Sequence, residues 1–329
     1  MSILQSQYKT TALACHRTED GVDIWFAGQD SQIAELCISA MNEARDHVEA
    51  FFDYRQNHHD RTRPQPSKKA SARHHKNSVN GQNQTISQRF SEGGPGDNPF
   101  STGFPPEDFL IKLFIFMYPD LSAMSEAFGR ELPDEHCCFV PTKGLESLIA
   151  FVTPRSNLHS LRVILAHEYC HIVVGCLTGN RETGQTSQSI PTWLDEGVAL
   201  FVDRKFREDL PEIERKRLEL IRQGADGWWP DLEDMYTYFN RLDGDVEFGR
   251  RGMLAYAYSY FCVKELIRRF DEQTFVQFTI SLASCNDIPS LFLQTFGLSV
   301  GQFNSEMKSS LRRNKHRCDF TQRDRHDGE

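Results

Sequence analysis

Two histidines stand four residues apart in the stretch VILAHEYCHIVVG, residues 163–175, and a glutamate directly follows the first. His167-Glu168-Tyr169-Cys170-His171 is an H-E-x-x-H pattern. On a helix, residues i and i+4 share one face, so both imidazoles can reach one ion. Zn²⁺ suits such a pair, because it takes imidazole nitrogen in a tetrahedral shell and acidifies water. Glu168 is then placed to accept a proton from that water as general base. The competing reading is a buried core helix whose histidines bond to backbone carbonyls, and the pentapeptide alone does not separate the two.

A catalytic zinc site takes three protein ligands and leaves a fourth position open. The segment IPTWLDEGVALFVDRKF, residues 190–206, offers what is missing. Pro191 and Thr192 mark a helix start. Trp193, Leu194, Val198, Leu200, Phe201 and Val202 make the helix mostly apolar, and Asp195 and Glu196 sit near its first turn. An acid on a buried helix is costly unless it is paired or bound to metal. Complementing the helix dipole accounts for one acid; two of them beside Gly197 in an apolar frame point further.

Taken together, LAHEYCHIVVG and, about 25 residues later, PTWLDEGVALFV resemble the short gluzincin metallopeptidases of the peptidase MA-like superfamily. Their pattern is an H-E-x-x-H helix followed by a helix carrying W-L-x-E-G-x-A. The resemblance implies that His167, His171 and Glu196 bind Zn²⁺, with Asp195 at the variable position of the motif. Weaker similarity extends over roughly 107–313, through AYAYSYFCVKELIRRFDEQTFVQF and LFLQTFGLSVGQFNSEM. Gluzincins stabilise the reaction's oxyanion with a tyrosine from a downstream helix, and Tyr256 matches the tyrosine of a Y-A-x-S pattern there. Tyr258 and Tyr260 crowd it. Met253, Tyr256, Tyr260, Val263, Ile267 and Phe270 also recur at alternating steps of three and four, which is how a core face reads. Two departures matter: no G-x-M-E-N segment supports exopeptidase specificity, and no third histidine completes a metzincin pattern.

The elements that must position these residues follow from periodicity. A strand is expected at 22–27 and a helix at 31–52 with Ile33, Cys37, Met41, Ala44 and Val48 on one face. Residues 109–117 read as a buried strand and 119–129 as a helix, with short strands near HCCFVP and SLIAFV. The metal helix spans about 159–176, and the remainder is helical over 191–206, 211–223, 231–240, 248–270, 272–283, 287–296 and 300–313. The expected class is α+β and zincin-like. Residues 1–54 and 107–190 form a mixed first lobe, 191–313 a helical second lobe and 314–329 a polar tail.

Between them, 55–106 is a polar, Gly- and Pro-rich insertion expected to be disordered. Eight Lys or Arg against Asp60 make its span from Arg55 to Arg89 basic, so it reads either as a solvated linker or as a docking segment for an acidic partner or nucleic acid. Its doublets His58-His59 and His74-His75 lack fixed geometry. Trp228 and Trp229 either line a substrate cleft or pack under a loop.

A net charge of −9 argues against a general binder of nucleic acid or acidic membrane. Nine cysteines without a C-x-x-C pair fit reduced thiols better than a disulfide framework. The first residues lack the apolar core of a secretory signal, and no continuous apolar run reaches membrane-spanning length. The expectation is a cytoplasmic zinc metallopeptidase acting on peptide or protein substrates. Its rival is a zincin-fold scaffold of little turnover that binds partners through the basic insertion.

Overall fold

A run such as Leu113-Phe-Ile-Phe-Met-Tyr118 has no polar face to offer water, so it folds where both sides of a strand are covered. In the computed structural model it forms the middle of a five-stranded sheet. That model describes residues 12–19, 21–53, 112–129, 131–132, 142–143, 146–153, 158–178, 190–224, 229–232 and 246–313. The strands are β1 (Cys15–Glu19), β2 (Val22–Phe26), β3 (Lys112–Tyr118), β4 (Thr142–Lys143) and β5 (Glu146–Val152), in the order β1-β2-β3-β5-β4. β2, β3 and β5 run parallel, and antiparallel β1 and β4 close the two edges. Register pairs Ile24 with Ile115 and Ile115 with Ile149.

Successive side chains on a strand point to opposite faces. Phe114, Phe116 and Tyr118 join Trp25, Leu148 and Ala150 in a core under α2 (Leu121–Phe128), which supplies Met124. Asp120 caps that helix by accepting from the Ala123 N–H at 2.8 Å. The alternate residues, among them Ile115 and Met117, are equally buried on the other face. On that side α1 (Ser31–Phe51) packs on β2, and α3 (Leu158–Thr178) packs on β5 and on α1. The face of α1 against its neighbours carries Ala34, Cys37, Met41, Ala44 and Val48, among which Ala34, Cys37 and Ala44 are small enough for close approach. Two polar ties cross the α1–α3 seam: Arg162 to Glu43 at 2.7 Å near the surface, and the Tyr169 hydroxyl to buried Glu49 at 2.8 Å.

α3 is buried almost all round, which is why it reads as apolar rather than amphipathic. Over Ser160–Thr178 its mean hydropathy is 1.3, long and apolar enough by composition to cross a membrane. That departs from the expectation that no apolar run reaches membrane-spanning length. Within the fold 61% of this window is buried, so its apolar surface is already taken up by neighbouring elements.

The second half is helical: α4 (Thr192–Val202) with a 3₁₀ turn at Asp203–Phe206, α5 (Leu210–Gln223), α6 (Val246–Phe270), α7 (Glu272–Ser281), α8 (Ile288–Phe296) and α9 (Val300–Arg313). The class is therefore α+β, mostly helix with a small mixed sheet. The chain divides into two units, Met1–Phe52 with Ile111–Glu329, and Asp53–Leu110. The second, apart from Asp53, lies outside the described residues, as do the basic insertion expected over 55–106, the strand expected at HCCFVP, Trp228 and the tail from 314. Of the helix expected at 231–240, only 231–232 are described, and they form no helix. Cys15, Cys37, Cys170, Cys262 and Cys285 are free thiols, and burial pushes the Cys37 thiol up to about 12.

α4 and α6 meet backbone to backbone. A Cβ on Gly197 would lie 2.7 Å from the Ser259 carbonyl oxygen and 2.7 Å from Val263 Cγ2. Glycine is needed there for approach, since backbone cannot yield as a side-chain tip can. Gly197→Ala is expected to lower stability by about 1–3 kcal/mol, read as a reduced midpoint in denaturant unfolding. An unchanged midpoint would mean that the two helices are free to separate.

Candidate metal centre

α3 presents His167 and His171 on one face toward α4. Their ring centroids lie 4.9 Å apart with planes at 82°, and the two Nε2 atoms are 3.2 Å apart. From α4, Glu196 Oε2 lies 3.5 Å from His167 Nε2 and 3.6 Å from His171 Nε2. One ligand atom from each of the three residues falls within 4.8 Å of the others. Glu196 Oε2 is buried and makes no hydrogen bond, an expensive condition for a carboxylate oxygen. Two imidazole nitrogens and an unsatisfied carboxylate oxygen facing one point form the donor set a zinc ion takes.

The outward nitrogens are held as well. His167 Nδ1–H donates to Asp203 Oδ2 at 3.2 Å. Asp203 is fully buried, and Arg207 grips both its oxygens, Nε to Oδ1 at 2.7 Å and Nη2 to Oδ2 at 2.8 Å. His171 Nδ1 lies 3.0 Å from Asp195 Oδ1, an ion-pair contact whose angle falls short of a hydrogen bond. Carboxylates behind metal-binding histidines fix the tautomer and raise the ligand's basicity.

These charges set the protonation of the cluster. Burial works against an imidazolium at His167, but the Asp203 and Glu196 carboxylates outweigh it and hold this histidine up at about 9. His171 moves up further: burial again opposes the charge, and Asp195 and Glu196 overcome it. Burial favours the protonated form of Glu196, yet the two histidines keep it well below the usual carboxylate range. A cation arriving here competes with protons, so its uptake is coupled to their release.

Two more of the expected residues join the cluster. Glu168 is buried on α3, and its charge bears on both His167 and Tyr256. Tyr256, on α6, is 37% exposed, and the Glu196 charge bears on its hydroxyl. Burial of the hydroxyl, reinforced by Glu196, Glu168 and Asp195, pushes that phenol well above its ordinary value and keeps it a donor. The other two tyrosines point elsewhere: Tyr258 donates to Asn304 Oδ1 of α9 at 2.9 Å, and Tyr260 donates to Glu214 of α5, which Lys264 also holds. The stripe on α6 is thus core only in part. Tyr260 and Val263 are fully buried, whereas Met253 at 57% exposure and Tyr256 border open space.

Asp203 and Arg207 were not singled out from the sequence. Asp203 follows Glu196 by seven residues, two helical turns, which sets it on the same face; a buried acid there with an arginine four residues on was the available signal. No family model matches the sequence, and no curated protein matches it.

In chelator-stripped protein, His167 contributes stability in full below pH 6.5, its ordinary value, and loses that contribution as pH rises through about 9. Asp203 acts oppositely: His167 and Arg207 outweigh its burial and hold it below its ordinary 3.8, so its contribution is present above 3.8 and fades at lower pH. Denaturant unfolding of the stripped protein is expected to show greatest stability between these two ordinary values. Stability that climbs from neutral pH through about 9 would contradict the assignment.

Proposed function

We propose that the chain is a zinc-dependent metallopeptidase of the gluzincin type, built on a zincin-like arrangement of sheet, metal helix and helical half. The reading is carried by the convergence of His167 Nε2, His171 Nε2 and the unsatisfied Glu196 Oε2. The resemblance of HEYCH and WLDEGVA to the gluzincin motifs supports it. His167, His171 and Glu196 would hold the ion, which when bound supplies Lewis acidity toward water and the substrate carbonyl.

The remaining work belongs to the chain's own groups. Glu168 takes the proton of the attacking water and returns it to the leaving amine. Tyr256 donates its O–H to the oxyanion of the tetrahedral adduct, and its raised pKa keeps that proton in place. Buried Asp203, clamped by Arg207, keeps the His167 ring oriented. Peptides or unfolded protein segments are the substrate class, and an acidic partner for the basic stretch within 55–106 belongs to the same proposal. The free thiols support a reducing, cytoplasmic setting.

Glu168→Gln is expected to retain stoichiometric zinc and lose casein hydrolysis by about 10²–10⁴-fold. Tyr256→Phe should lose about 10²–10³-fold in kcat with zinc unchanged. Zinc-loaded wild type without Glu168-dependent cleavage would instead favour a scaffold that keeps the fold and turns nothing over.

A further inference from the structure

Glu214 and Arg217 stand three residues apart on α5, and both meet Tyr260 of α6. Glu214 accepts from the Tyr260 hydroxyl and, at 2.6 Å, from Lys264 Nζ. Arg217 lays its guanidinium over the Tyr260 ring, 4.5 Å from the centroid. Its Nη1 is buried and has no hydrogen-bond partner among the described residues. The carboxylates whose charge reaches it are both engaged: Arg207 grips Asp203, and Lys264 holds Glu214.

A buried, unpaired cation is costly. Burial and the neighbouring Arg207 charge pull Arg217 below its ordinary value, yet a guanidinium starts so high that it stays charged. With the metal centre left aside, Arg207, Arg217 and Lys264 stand against Asp203 and Glu214, which leaves one positive charge over. Arg204, whose charge reaches Tyr260, adds to the excess. The Tyr260 face attracts the cation, but Nη1 still lacks an acceptor.

We infer that Arg217 anchors a binding site for one small monovalent anion, of which chloride is the type, where α5 meets α6. A single negative charge balances the excess. A compact ion suits a buried Nη1, and Asp203 and Glu214 repel anions of higher charge. This inference does not depend on the zinc reading, although the two sites share a residue. Arg207, which repels Arg217, is also the clamp on Asp203 behind His167. An anion at Arg217 offsets that repulsion, so its binding stabilises the folded chain by linkage. The bland alternative is that the contact with the Tyr260 ring is all that Arg217 requires.

Urea unfolding of the chelator-stripped full chain separates the two, with sodium chloride exchanged for sodium methanesulfonate at constant ionic strength. Wild type is expected to gain stability that saturates, its folding constant rising about ten-fold once chloride reaches about ten times its dissociation constant. Arg217→Leu is expected to show no chloride response. Bromide, located by its anomalous scattering in crystals of the wild type, needs no variant and should lie in contact with Arg217 Nη1. A wild type indifferent to the exchange, or bromide absent from Arg217, would overturn the inference in favour of the ring contact. A chloride response undiminished in Arg217→Leu would overturn it by placing the ion elsewhere. Read without metal, none of these outcomes bears on the zinc ligands.

Discussion

Glu196 is an acid on a helix whose Trp193, Leu194, Val198 and Phe201 are buried, and one of its own oxygens is buried without a hydrogen bond. Burying an ion in this way costs several kcal/mol unless opposite charge is brought to it. The rest of the centre is the compensation. Two imidazoles face the carboxylate, and the charge this draws onto them is balanced from behind by Asp203 and Asp195. Asp203 in turn is neutralised by Arg207. Alternating charge therefore runs from the Glu196 oxygen through the histidines to the 3₁₀ turn after α4. A divalent ion answers the same need with fewer protons, which links the electrostatics of the fold to the proposed chemistry.

Packing delivers these groups to one place. α3 carries His167 and His171 on the side that faces α4 and the Asp203 turn. Its seam with α1 is set by small residues and by the Tyr169–Glu49 bond, and the His47 ring reaches from α1 to the Val202 carbonyl at the end of α4, at 3.1 Å. Gly197 lets α4 lie against the backbone of α6 at Ser259, one turn after Tyr256, whose phenol feels the Glu196 charge. His167, Glu168, His171, Glu196 and Tyr256 thus come from three helices, two of which approach closely because Gly197 lacks a Cβ.

Much of this was legible in the sequence. The parallel strands and the long helices announce themselves because each has a face, or two faces, that must be buried; the bounds expected for α3, α6 and α9 fall within two residues of those observed. His167, Glu168 and His171 stood out because their spacing matches helix geometry, and Glu196 because it is an acid in an apolar helix that resembles the W-L-x-E-G-x-A motif. Edge strand β1 was not, since CHRTE has no alternation and is held by pairing with β2. The face of α6 misled at its N-terminal end: periodicity marks Met253 and Tyr256 as core, but the contact with Gly197 lies further along, at Ser259 and Val263. Asp203, Arg207 and the approach of Asp195 to His171 depend on where α4 sits against α3. That is a tertiary fact, of which the acid at 203 with an arginine four residues on is the one local trace.

Zinc K-edge X-ray absorption on the zinc-loaded full-length protein tests the ligand set most directly. The expected spectrum has a first shell of nitrogen and oxygen alone at about 2.0–2.1 Å, with outer-shell scattering from two imidazoles. Sulfur scattering at about 2.3 Å, or a first shell without imidazole, would contradict the assignment of His167, His171 and Glu196.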